Sequence, residues 1–91
     1  MSEPSFVCPA CGYDQLEQPA WLDERHPSDQ ICPSCGIQFG YDDAVGGDLA
    51  ARAFVYRDWR EAWRERGCPW ASTGHEPPQG WDPQQQILRV E

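Results

Sequence analysis

Basic side chains are scarce in this chain: seven Lys and Arg stand against fifteen Asp and Glu, a formal net charge of -8. Phosphates repel a surface of that sign, and the basic patch of a nucleic-acid reader is missing, so no nucleic-acid partner is expected. Missing too is an N-terminal stretch joining basic residues to a long apolar core, so neither a secretory leader nor a membrane partner is expected. No nucleophile and base share a recognisable motif, and no Gly-rich phosphate loop occurs. His26, His75, Cys68 and the scattered carboxylates are therefore read as noncatalytic, since isolated carboxylates are ordinarily solvated. Hydrophobic residues make up 40% of only 91 positions, with nine Pro and eight Gly. That bounds the chain to one domain, residues 1–91, with a core too small to hold it together without help.

The help is visible as two C-P-x-C-G segments, Cys8-Pro9-Ala10-Cys11-Gly12 and Cys32-Pro33-Ser34-Cys35-Gly36. Twenty residues separate Cys11 from Cys32, giving C-x2-C-x20-C-x2-C, a spacing that reads as a structural zinc site. Two cysteines three positions apart on a tight turn can aim both sulfurs at one point. Pro presets the backbone angle of such a turn, and the following Gly permits a left-handed conformation. Two knuckles give Cys8, Cys11, Cys32 and Cys35 as a full tetrahedral ligand set with no vacancy for water or substrate. A closed site of this kind is a staple, worth on the order of 10 kcal/mol of folding free energy in a small domain.

Three other chemistries compete for the cysteines. Disulfides fit poorly with five cysteines, an odd number, and no secretory leader. Dithiol redox work by one C-x-x-C needs a parallel sheet for which the chain has no room. Iron in place of zinc keeps the same sulfur shell, because ligand geometry alone does not separate the two metals, and the knuckles resemble those of rubredoxin. Cys68 lies far from both knuckles in sequence and is read as a buried free thiol. His26 and His75 could ligate metal in principle, but four sulfurs already saturate the site.

Along the chain the expected fold is a small α+β domain: a zinc-ribbon part over residues 1–47, an amphipathic helix over 48–67 and a C-terminal extension over 68–91. Short antiparallel strands are expected at Ser5 to Val7, at Asp29 to Ile31 and from Gly36 to Tyr41, with Ile37, Phe39 and Tyr41 alternating onto one face. Residues 17–30 read as a loop, with Trp21 packing back. Asp48 caps the helix, Gly67 stops it and Pro69 forbids its continuation. Ala51, Val55, Tyr56, Trp59, Ala62 and Trp63 form its buried stripe, and Arg57, Arg60 and Arg64, interleaved with Asp58, Glu61 and Glu65, form a solvated, self-neutralising face. Trp70 is expected to anchor the chain as it turns back. Asp82-Pro83 opens a last short helix over 82–90, with Ile87, Leu88 and Val90 as its apolar side.

The order of these features resembles a group of small bacterial zinc-ribbon-like proteins, the cysteine-rich CPCC-type proteins. The resemblance spans residues 6–88. It is carried by Cys8-Pro9-x-Cys11-Gly12-Tyr13, Ile31-Cys32-Pro33-x-Cys35-Gly36, Phe39-Gly40-Tyr41-Asp42-Asp43, the Trp59 and Trp63 helix, Gly67-x-Pro69-Trp70 and Pro77-Pro78-x-Gly80-Trp81-Asp82-Pro83. Ala10 and Ser34 stand where that group's run can hold a further Cys. The resemblance implies a ribbon plus helix, a cytoplasmic bacterial setting and no known reaction.

Charge is unevenly divided. Residues 1–47 carry eight acids and one Arg, residues 48–67 four acids and five Arg, and residues 68–91 three acids and one Arg. The acidic loops, with Asp14, Asp23, Glu24, Asp42 and Asp43, suit a basic protein partner, because such complementarity speeds association and sets specificity. Asp42, Asp43, Phe54 and Trp81 are the candidate contact residues. An immunity or antitoxin-like inhibitor of a cationic bacterial protein fits that acidity and size. Oligomeric state leaves no readable trace.

Overall fold

The two knuckles adopt one backbone pattern twice. In each, the first Cys amide donates to the carbonyl five residues on, Cys8 to Tyr13 at 2.7 Å and Cys32 to Ile37 at 2.9 Å. In each, the closing Gly amide donates back to the first Cys carbonyl at 2.8 Å, Gly12 to Cys8 and Gly36 to Cys32. Gly12 and Gly36 have φ of 85° and 82°, the left-handed region that the C-P-x-C-G sequence anticipates.

The structure, a computed structural model, describes residues 6–23 and 25–91. The expected ribbon strands are reduced to close pairings. Ile31 and Gln38 form an isolated antiparallel bridge, and Leu16 N donates to Phe6 O on the other knuckle. Ser5 of the first expected arm lies outside the described residues. The regular strands sit where a loop was expected: β1 (Trp21–Asp23) pairs antiparallel with β2 (His26–Pro27) across an irregular register. The Asp23 carboxylate closes that hairpin by accepting from Arg25 N at 2.8 Å and contacting His26 Nδ1 at 2.7 Å. These two hydrogen bonds stabilise a tight turn that hydrophobic periodicity cannot report.

Ile37 and Phe39 are fully buried, as their alternation predicts, but Tyr41 is 77% exposed. The strand has ended by then, because the Tyr41 and Asp42 amides both turn back to Gln38 O. A single turn of 3-10 helix (Val45–Gly47) leads into α1 (Leu49–Glu65). The Asp48 carboxylate caps α1 by accepting from Ala50 N and Ala51 N, and Gly67, at φ 88°, follows its end. Trp63 is the fully buried residue of the stripe, with Val55, Tyr56 and Trp59 packed against the core. Ala62 departs from the expected stripe and is exposed, whereas Arg52, assigned to neither face, is buried with its guanidinium 3.5 Å over the Trp21 ring.

The last helix, α2 (Pro83–Ile87), is shorter than expected and is capped by the Asp82 carboxylate. Its inner face is Gln86 and Ile87, and Leu88, expected on the apolar side, is exposed. Trp70 meets Tyr13 and Trp81 edge-on, with ring centroids 5.6 and 5.1 Å apart. These contacts hold the C-terminal extension over the first knuckle. Among the described residues no helix is long and apolar enough to cross a membrane.

Asp43, expected at the surface, is fully buried. It accepts from Trp21 Nε1 at 2.9 Å, Tyr56 Oη at 2.6 Å and Gly40 N at 2.6 Å. Burial, then the Asp43 carboxylate, pushes the Tyr56 phenol far above its ordinary value, so it remains a donor. This carboxylate ties the β1–β2 hairpin, the turn after the second knuckle and α1 together. Asp43→Ala leaves two half-buried side-chain donors without their acceptor and is expected to cost about 2 kcal/mol in chemical denaturation of the metal-loaded protein. Leu22→Ala, on the exposed side of the same hairpin, is expected to stay within about 0.5 kcal/mol of wild type.

Candidate metal centre

Cys8, Cys11, Cys32 and Cys35 converge. Their four sulfurs lie within 4.8 Å of one another, and all four residues are buried. Zinc–sulfur bonds of about 2.3 Å at tetrahedral angles set neighbouring sulfurs about 3.8 Å apart. Cys8 Sγ and Cys35 Sγ are 3.9 Å apart, and Cys11 Sγ and Cys32 Sγ 3.7 Å. The sulfurs are therefore spaced for a shared ion, far beyond a disulfide bond of about 2.05 Å. All five cysteines are free thiols.

The electrostatics of the set point the same way. Burial, then contact with the neighbouring sulfurs, pushes the Cys8 thiol well up. The Cys35 thiol also rises, chiefly through its contacts with Cys11 and Cys32. Cys11 moves in the opposite direction, because hydrogen bonds from Cys32, Cys35 and Cys8 favour its thiolate. A divalent cation at the centre lets all four ionise, and the donor set fits a tetrahedral metal with every position taken by protein.

Around the ligands, the knuckle carbonyls are systematically occupied. Arg60 donates through Nε to Ala10 O at 2.7 Å and through its terminal nitrogen to Pro9 O at 3.2 Å. Gln86 Nε2 donates to Cys11 O at 3.2 Å and Arg89 to Gly12 O at 3.1 Å. On the second knuckle, Trp59 Nε1 donates to Cys35 O at 3.1 Å, and the Ala71 and Ser72 amides donate to Pro33 O at 3.1 and 2.9 Å. Arg60 was expected on the solvated face of α1, and the structure corrects this: it reaches across to the first knuckle. Arg64 and Arg57 do face outward, in ion pairs with Glu61 and Asp58.

The remaining sequence candidates are dispersed. Cys68 is buried outside the four-sulfur cluster, with its thiol pushed up by burial. His26 pairs with Asp23, and His75 is held through its backbone, its carbonyl accepting from Trp70 Nε1 and its amide donating to Ser72 Oγ. Of the candidate contact residues, Asp42 accepts from Gln38 N at 2.8 Å in a half-buried turn, and Phe54 is exposed beneath the Arg57 guanidinium. Trp81 is half-buried and donates to Gln86 Oε1 at 2.7 Å, so its polar atom is engaged inside the molecule. Asp43 is withdrawn from the surface altogether, and Glu24 lies outside the described residues. Sequence reasoning missed Arg60, Gln86 and Arg89. Gln86 follows two other glutamines, so nothing in the local sequence marks it out.

The chain is similar to the uncharacterized protein YoaQ of Bacillus subtilis (strain 168), 33% identical over 76 residues, a match taking in 74% of this chain and 64% of that protein. The chain thus spans just under two thirds of the curated relative it matches. No family model matches the chain, and no solved structure matches it.

Replacing any one of Cys8, Cys11, Cys32 or Cys35 by Ser is expected to abolish retention of one metal per chain and remove much of the roughly 10 kcal/mol that a structural metal supplies. Cys68→Ser is expected to keep the full metal equivalent. Metal analysis and thermal unfolding of the five variants check both statements, and metal loss in Cys68→Ser would contradict the four-ligand assignment.

Proposed function

We propose that this chain is a noncatalytic zinc-binding module that meets a basic protein surface, with the metal serving as its internal staple. The observation that carries the reading is the closed sulfur tetrahedron, which leaves a bound ion no open position for water or substrate. Zinc suits that role because it has no redox chemistry and accepts four thiolates without geometric strain. Four thiolates around one divalent ion also deepen an already negative charge of -8. Asp14 and Asp23 are exposed, and Leu22, Tyr41 and Phe54 add exposed apolar contact area. Acidic surface mixed with apolar anchors suits a cationic protein partner, and an immunity or antitoxin-like inhibitor is the specific form of this proposal.

A rubredoxin-like iron electron carrier is the second reading, favoured by the same sulfur spacing, since a tetrahedral sulfur set accepts either metal. Pull-down from the source organism, with metal analysis on the same sample, separates the two. One zinc per chain, no visible absorbance and a captured basic protein are expected. Red protein holding one iron would establish the second reading, and an acidic partner or no partner would overturn the docking proposal.

A further inference from the structure

The occupied knuckle carbonyls have an unequal distribution. Most are held by α1 or by backbone amides close after it, but Cys11 O and Gly12 O are held by the C-terminal segment. Gln86, 4% exposed, is the pivot. Its Nε2 donates to Cys11 O at 3.2 Å on the first knuckle and to Ser34 Oγ at 2.9 Å on the second, while its Oε1 accepts from Trp81 Nε1 at 2.7 Å. One side chain thus spans both halves of the sulfur tetrahedron. The backbone is pressed equally close: a Cβ built on Gly12 would lie 2.1 Å from Gln86 O, whereas on Gly36 its nearest neighbour would be Ala71 Cβ at 3.2 Å. Arg89 completes the contact, donating to Gly12 O and pairing with Asp14 at 3.3 Å.

We propose that residues 81–90 form a latch over the metal centre, with Gln86 as a positioning residue that couples the two knuckles and controls how long the metal is retained. The proposal rests on the metal-staple reading and adds its regulation. For a metal to leave, the two knuckles must separate, and Gln86 resists separation because parting them strands its buried amide or the groups it satisfies. Linkage makes the effect reciprocal: whatever factor the docked segment contributes to metal affinity, the metal contributes to docking of the segment. Loss of metal would therefore loosen α2 and uncover the Ile87 and Trp81 face. Metal occupancy and the shape of the C-terminal surface become one variable.

The test uses the full chain loaded with zinc and challenged with excess chelator, and again with cobalt(II) in place of zinc. Gln86→Leu is expected to release zinc at least about tenfold faster than wild type. Its cobalt form should keep the visible spectrum of a tetrahedral tetrathiolate, since no ligand has changed. Gln84→Ala, exposed on the same helix, is the control and should release at the wild-type rate. Release by Gln86→Leu within about twofold of wild type, or an altered cobalt spectrum, overturns the latch. Should Gln86→Leu fail to fold, Gly12→Ala against Gly36→Ala decides, because both replace a knuckle glycine of nearly equal φ and only the first displaces α2. Faster release from Gly12→Ala supports the latch, and equal rates overturn it. Wild-type protein that takes up neither zinc nor cobalt overturns the metal reading itself.

Discussion

Crowding four thiols within 4.8 Å of one another, away from water, is an electrostatic problem before it is a structural solution. Uncharged, they are four weak hydrogen-bonding groups in a small interior. Ionised without a counter-charge, they repel across a medium that screens poorly. A single divalent ion held among them would resolve the conflict by turning repulsion into four bonds that all pull toward one point. The two knuckles lie twenty residues apart in sequence, yet they carry the same internal hydrogen bonds and differ mainly in what covers them.

The cover makes the rest of the chain intelligible. α1 contributes Trp59 and Arg60 to the knuckle carbonyls and Trp63 to the apolar interior, so one helix holds both the outer shell and the core. The Asp43 node does the same for the β1–β2 hairpin, bringing Trp21 and Tyr56 to one buried carboxylate. Regular secondary structure in the first half is sparse, and the interior is organised instead by side chains reaching backbone groups over long separations. Of these, the contact from Gln86 to Cys11 spans 75 positions. A fold built this way tolerates few strands because its order comes from ligands, caps and buried polar contacts.

That architecture also explains why polar residues hold positions an apolar pattern would assign to the core. Ser34 is fully buried because its hydroxyl accepts from Gln86, and Asp43 because three donors surround it. Each would be costly if left unpaired, so each restricts the ways in which the surrounding segments can pack. Arg60 follows the same logic half-buried, its guanidinium reaching two knuckle carbonyls.

The sequence by itself determined the features governed by short spacing. The C-P-x-C-G pairs dictated the knuckles and their left-handed glycines, Asp48 and Asp82 dictated the helix starts, and the Trp59 and Trp63 register dictated the inward side of α1. These depend on neighbours within about one turn of chain, where backbone geometry fixes the outcome. Tertiary structure alone decided which of two adjacent aspartates, Asp42 or Asp43, would be buried, and which of three adjacent glutamines would face the four-cysteine cluster. It also decided that Arg60 would leave the solvated face and that Tyr41 would fall outside the core. Identical side chains in tandem carry no local signal. Their fates were set by donors and acceptors that the fold brings in from distant segments, and partners of that kind do not exist until the chain has closed on itself.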